Sequence, residues 1–236
     1  MRQIRALTFD LDDTLWDNRP VMIGAEQALY QWLSTHYPRI TRRYSLESLR
    51  RLRTKLAETR PELRYRMTAL RKQALQLAAE STGYDAGMVQ PAFEYFLQAR
   101  HRITLYQDVL PALQRLRGAG YLIGALSNGN ADVGRLGIGP LFDFSLSAES
   151  VGEAKPHPRM FQEACRRAAV APAELAHVGD EPDTDLAGAQ AAGVQVIWMN
   201  RLRQAADPRF TQHPEVRDMH ELLALLGLEP QTDAPG

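Results

Sequence analysis

The sequence predicts an α/β fold, a parallel sheet with an inserted all-helical segment, and three observations predict it. A short apolar run, Ile4 to Phe9, stops abruptly at Asp10-Leu11-Asp12-Asp13-Thr14. From about Tyr106 the chain alternates apolar, strand-like runs with amphipathic stretches, the pattern of strands joined by crossover helices. Between these parts, from Asn18 to about Arg102, β-branched runs vanish and Leu, Ala, Glu, Gln and Arg recur at helical spacing.

Ile4 to Phe9 reads as a buried strand feeding a polar loop. In the middle segment, Ala28, Leu29, Trp32 and Leu33 form one apolar stripe. Leu46, Leu49, Leu52 and Leu56 form another, and Leu70, Ala74, Leu77 and Ala78 a third. Pro38, Pro61, Gly83 to Gly87 and Pro91 punctuate them, which predicts three or four helices. Then come a helix from Asp108 to Arg117 stopped by Gly118 and Gly120, and a strand from Tyr121 to Leu126. A short strand at Phe144 to Leu146 and a helix from Pro158 to Ala169 follow. A strand from Leu175 to Val178, a helix from Thr184 to Ala192 and a strand from Val194 to Met199 continue the alternation. A strand near Val216 and a helix from Met219 to Leu226 close it. The expected domains are a core of residues 1–17 plus 103–228 and a helical insert of 18–102. Residues 229–236 are expected to be a disordered tail.

Composition narrows the function. The chain has 236 residues, 28 basic and 28 acidic, and 44% are hydrophobic, which suits a globular protein with a sizeable core. The run Leu222 to Leu228 is far too short to cross a bilayer, and no charged-then-apolar leader follows Met1. With one cysteine, Cys165, no internal disulfide can form, and no Cys/His cluster suggests zinc. A cytoplasmic monomer that binds neither membrane nor nucleic acid is the expectation. The neutral total hides an asymmetry: Arg39 to Lys72 carries twelve basic residues against three acidic, a net +9. Only Lys55, Lys72 and Lys155 are lysines, and Lys155 alone lies outside that stretch.

Four signals fall at or just after predicted strand ends, where open α/β sheets place their ligands. Asp10 and Asp12, two apart in extended backbone, point to one side and would repel unless a hard cation or shared proton relieves them. Gly124-Ala125-Leu126-Ser127-Asn128-Gly129 ends a strand in a hydroxyl and a glycine turn, which offers an OH and backbone N–H groups to an anion. Glu153-Ala154-Lys155-Pro156-His157-Pro158 could aim Lys155 into the crevice at a helix start. Gly179-Asp180-Glu181-Pro182-Asp183-Thr184-Asp185 has four acids in six positions, more than a helix cap needs.

In order and spacing, Asp10-x-Asp12-x-Thr14, Ser127, Lys155-Pro156 and Gly179-Asp180-x-x-x-x-Asp185 resemble the motifs of the haloacid dehalogenase superfamily of hydrolases. The helical insert is similar to that family's C1 cap. The surrounding residues, Phe9 to Leu15, Asp17 to Pro20 and Ser127 to Asn130, resemble a bacterial branch. Its members are phosphatases of flavin mononucleotide and of 5-amino-6-(5-phospho-D-ribitylamino)uracil. The resemblance implies a Rossmann-like core and a Mg²⁺-dependent phosphatase acting on a small phosphorylated metabolite through an aspartyl-phosphate. Asp10 is then the nucleophile and Asp12 the general acid and base. Asp10, Asp12 through its carbonyl, and Asp180 hold Mg²⁺. Thr14, Ser127, Asn128 and Lys155 bind the phosphate, and Asp185 orients Lys155 or a metal-bound water.

The same resemblance leaves rival readings. They are a nucleotide or sugar-phosphate phosphatase, a β-phosphoglucomutase-like mutase, a 2-haloacid dehalogenase and a non-catalytic binding protein. A dehalogenase needs no metal and no second carboxylate two residues on, so Asp12 and Asp180 argue against it. A binding protein would be free to lose Asp10, Asp12, Lys155 or Asp180, and all are present. The basic stretch falls in the insert, where it either attracts a phosphorylated substrate or forms a solvated helix face. His177, in a predicted strand, is expected to be structural.

Overall fold

The structure, a computed structural model of the chain, describes residues 3–205 and 207–228. The segment 229–236, expected to be a disordered tail, lies outside the described residues. Two compact units emerge: segments 3–17, 104–128 and 133–228 make a core unit, and 18–103 with 129–132 a helical unit.

The chain enters through β1 (Ala6–Phe9) and passes into five helices of the helical unit. They are α1 (Asn18–His36), α2 (Pro38–Arg43), α3 (Leu46–Thr59), α4 (Met67–Ser81) and α5 (Val89–Arg100). Their apolar faces make a main interior, in which Leu29, Leu33, Ile40, Leu75, Ala78 and Phe96 are buried, and a smaller cluster of Leu56, Leu63, Leu70 and Ala74. α3 starts at Ser45, whose hydroxyl accepts from the Ser48 N–H at 3.2 Å, one of the otherwise unpaired first-turn donors. Five helices replace the three or four expected because α2 has six residues and one buried apolar side chain, Ile40, too few to show a period. Leu77, counted in an apolar stripe, is 38% exposed.

The core unit resumes with α6 (Val109–Gly118), β2 (Leu122–Ser127), β3 (Phe144–Ser147), α7 (Ala148–Val151), α8 (Arg159–Ala168) and β4 (Leu175–Gly179). It closes with α9 (Ala187–Ala191), β5 (Gln195–Met199), β6 (Glu215–Val216) and α10 (Met219–Leu225). The six strands form one sheet in the order β3-β2-β1-β4-β5-β6, with every pair parallel. Every residue of β1 and β4 is buried, as continuous apolar runs require when both sheet faces are covered. From β1 the sheet grows through β2 to β3 on one side; from β4 it grows through β5 to β6 on the other. That reversal opens a crevice at the carboxyl ends of β1 and β4, the usual ligand position in such sheets. The helix expected from Thr184 begins instead as one wide π turn, Pro182–Leu186, and only then becomes α9.

Candidate active site

Asp10 is the first residue past β1. Its N–H donates to the Val178 carbonyl at 2.9 Å, which pins it beside the end of β4. Two residues on, the Asp12 Oδ1 accepts from the indole N–H of the fully buried Trp16 at 3.1 Å. Asp13 between them and the next turn has φ 62, a left-handed conformation that aspartate tolerates better than most residues. Thr14 is fully buried and its hydroxyl donates to the Asp180 Oδ1 at 2.9 Å, so this side chain orients a carboxylate. Arg201, stacked on Tyr106 at 4.1 Å, donates from Nε to the Thr14 carbonyl at 2.8 Å and fixes the loop from behind.

Lys155 enters from the loop before α8 and is 3% exposed. Its Nζ donates to Asp10 Oδ1 and to the Leu126 carbonyl at 2.8 Å, and stands 2.6 Å from Asp185 Oδ1. Asn128 clamps the same residue's backbone. Its Nδ2 donates to the Lys155 carbonyl at 2.9 Å, and the Lys155 N–H donates to its Oδ1 at 2.8 Å. Ser127, 3% exposed, ends β2 alongside. Expected as phosphate ligands, Thr14 and Asn128 are thus engaged with Asp180 and with the Lys155 backbone.

His177, expected to be structural, lies on β4. It is 1% exposed, its Nε2 lies 3.2 Å from Asp185 Oδ1, and its Nδ1 lies 3.0 Å from the Thr8 hydroxyl. Burial holds the imidazole below its usual pKa, so it is neutral. A carboxylate only accepts, so Nε2 carries the proton and Nδ1 accepts from Thr8. Asp185 also receives the Glu181 N–H on Oδ2 at 3.2 Å. A chain of contacts thus runs Thr8–His177–Asp185–Lys155–Asp10. The one signal for it in the sequence was the position of His177 three residues before Asp180, on the strand that carries the site.

Electrostatics sort the three acids. Burial pushes the Asp10 carboxyl well up; the Lys155 ammonium pulls it back, and the Asp185 and Asp180 carboxylates add to the rise. Burial, then the charge of Asp185, pushes Asp180 up to about 7. Burial opposes charge on Asp185 too, but Lys155 and His177 outweigh it and hold that carboxyl below the usual range. For Lys155, burial is overcome by the Asp10 and Asp185 carboxylates, and the ammonium stays charged. One oxygen each of Asp10, Asp180 and Asp185 lies within 4.8 Å of the others, a set of hard oxygen donors that suits Mg²⁺ or a similar cation. Asp185 already binds Lys155, His177 and the Glu181 N–H, which leaves Asp10 and Asp180 as the side chains with oxygens to offer.

Comparison with known proteins agrees with this arrangement. The family model described as haloacid dehalogenase-like hydrolase matches residues 4–193. The chain is 34% identical over 232 residues to the 5-amino-6-(5-phospho-D-ribitylamino)uracil phosphatase YigB of Escherichia coli (strain K12), across 95% of this chain and 97% of that one. It is 34% identical over 157 residues to a phosphoserine phosphatase of Thermus thermophilus, across 64% of this chain and 63% of the other. Among solved structures, a 2-haloacid dehalogenase from Pseudomonas syringae pv. Tomato DC3000 superposes with a TM-score of 0.89 at 40% identity, over 95% of this chain and 99% of that one. The parallel sheet, the crevice at β1 and β4, and the family match over most of the chain lead to one assignment: the chain is an enzyme that belongs to the haloacid dehalogenase-like hydrolases.

Proposed function

We propose that the chain is a Mg²⁺-dependent phosphatase that hydrolyses a small phosphate monoester through a phosphoryl group on Asp10. The observation that carries this reading is Asp12, a second carboxyl two residues past Asp10 with one oxygen already steadied by Trp16. An alkoxide leaves phosphorus only when protonated, whereas a halide leaves carbon without a proton. A general acid beside the nucleophile therefore serves ester hydrolysis and has no work in dehalogenation.

The contacts support the following steps. Lys155 holds Oδ1 of Asp10, so Oδ2 attacks phosphorus. As the P–O bond to the leaving group breaks, Asp12 gives its proton to the departing oxygen. Asp12, now a carboxylate, takes a proton from the water that attacks the phosphoryl group, and inorganic phosphate leaves with Asp10 restored. Ser127 donates to an equatorial oxygen, where charge is spread in the transition state, and the Lys155 ammonium, its N–H groups held by Asp10, Leu126 and Asp185, supplies positive charge beside it. Asp10, Asp180 and the Asp12 carbonyl would hold the metal, with Thr14 orienting Asp180. When bound, Mg²⁺ supplies the positive charge that lets carboxylates and a phosphate dianion share one crevice. The helical unit acts as the cap that selects the leaving group.

5-Amino-6-(5-phospho-D-ribitylamino)uracil is the first substrate to try, supported by the Escherichia coli relative matched over nearly its whole length. Flavin mononucleotide is the second. The rival reading, haloacid dehalogenation, has the Pseudomonas syringae structure in its favour. Phosphate and halide release, measured side by side from a panel of esters and 2-haloacids with and without Mg²⁺, decide between them. Metal-dependent phosphate release without halide release is expected; halide release without phosphate release would overturn the reading.

A further inference from the structure

The helical unit holds a charged cluster that the reaction above does not use. Glu26 of α1 is 7% exposed, and guanidinium groups from α3 and α4 converge on it. Arg50 Nε donates to its Oε2, Arg53 Nη1 donates to its Oε1 at 2.8 Å, and Arg71 Nη2 stands 3.6 Å from Oε1. Three positive groups thus share one carboxylate, and buried charge without compensation is costly. Arg71 is the most exposed to that cost. It is 9% exposed, stacks on Phe96 at 3.5 Å, and among the described residues has only the loose pair with Glu26 for its five N–H donors. Burial, then the charge of Arg53, pulls its pKa down to about 9, as expected where positive charge is undercompensated.

A cavity of about 40 Å³ opens beside these groups, lined by Arg50, Arg53, Arg71 and the Glu26 that Arg50 and Arg53 already hold, together with apolar residues such as Leu46 and Leu49. A single water needs about 10–15 Å³ on the same measure, so there is room for a small polyatomic ion. Water would satisfy donors but leave the charge. A metal cation has the wrong sign. We propose that this cavity is an anion site, which takes a small oxyanion, phosphate or carboxylate, against Arg50, Arg53 and Arg71. Planar guanidinium groups suit such ligands because they donate paired N–H groups to two oxygens at once.

The test is a calorimetric titration of inorganic phosphate, and separately of acetate, into the metal-free chain. Wild type is compared with Arg71→Met and Arg50→Gln; Arg50 is the more exposed, so the second variant keeps the test alive if the first fails to fold. The core crevice also binds phosphate if the chain is a phosphatase, so the readout is the difference in site number. Wild type is expected to show one site more than either variant, or that site weakened in them by about tenfold or more. Which anion fills it, phosphate or acetate, names the ligand class. A single site lost in both variants would support the anion site while counting against phosphate binding in the core. The same number of sites with the same affinity in all three proteins would overturn the proposal and leave the cavity to water.

Discussion

Asp185 receives Lys155, His177 and the Glu181 N–H, while Asp10 and Asp180 keep oxygens turned to the crevice. Neighbouring aspartates thereby acquire different work. One is a fixed counter-ion that aims the ammonium, and two are the groups that would meet cation and substrate in the proposed reaction. His177 acts only through Asp185, so it is a positioning residue. His177→Phe removes the donor to Asp185 and leaves a buried carboxylate short of a partner. We expect kcat to fall by about tenfold to a hundredfold, the cost of one hydrogen bond to a charged group, with KM nearly unchanged. His177→Gln, which can still donate, is expected to recover much of the loss. Steady-state kinetics of the two variants check this; equal losses in both would make His177 a packing residue.

At the scale of elements, the end of β4 and the turn after it set the site's geometry. Gly179 has no room for a Cβ, because one built there would strike the Asp185 carboxyl group. The wide turn Pro182–Leu186 carries Asp185 back against that glycine and into contact with Lys155. Gly188 repeats the device one turn later, where a Cβ would come 2.9 Å from the Pro156 backbone. Gly179→Ala must displace Asp185, so activity is expected to drop by more than tenfold while far-ultraviolet circular dichroism stays unchanged. Wild-type turnover in that variant would mean that the close approach does not matter. In the helical unit, burial raises the Glu26 carboxyl, but hydrogen bonds from Arg53 and Arg50 outweigh it and hold its pKa below 4.5. A carboxyl depressed in the folded state adds stability that is full above its unfolded pKa and is lost as pH falls through the folded value. The thermal midpoint of wild type should therefore drop below about pH 4.5 more steeply than that of Glu26→Gln. At neutral pH the variant itself should be destabilised by about 3 kcal/mol, because the guanidinium groups lose their counter-charge.

Across the whole molecule, what could be read from the chain depended on how far each signal reaches. Asp10 and Asp180 stand out because charged residues directly after apolar strand runs have few structural reasons to be there, and Lys155 because it is the one lysine outside the basic stretch. His177 does not, because a lone histidine inside a strand gives the same pattern whether it packs or positions a carboxylate. Thr14 and Asn128 were expected on the phosphate, but their partners, Asp180 and the Lys155 backbone, are 166 and 27 residues away, and only the fold brings them together. Strand positions were legible from apolar runs alone, since β1, β2, β4 and β5 lie within one or two residues of expectation. The wide turn before α9 was not, because the partner that Asp185 meets on it, Lys155, comes from another segment of the chain. Cysteine content and hydropathy bounded the rest: among the described residues no helix is long and apolar enough to cross a membrane. In the proposed reaction Asp10 takes the phosphoryl group. The direct measurement is mass spectrometry of the chain quenched in acid during turnover of a phosphate monoester with Mg²⁺. A phosphoryl group on the peptide that contains Asp10, absent from Asp10→Asn, is the predicted result; phosphate release that continues undiminished in Asp10→Asn would contradict it.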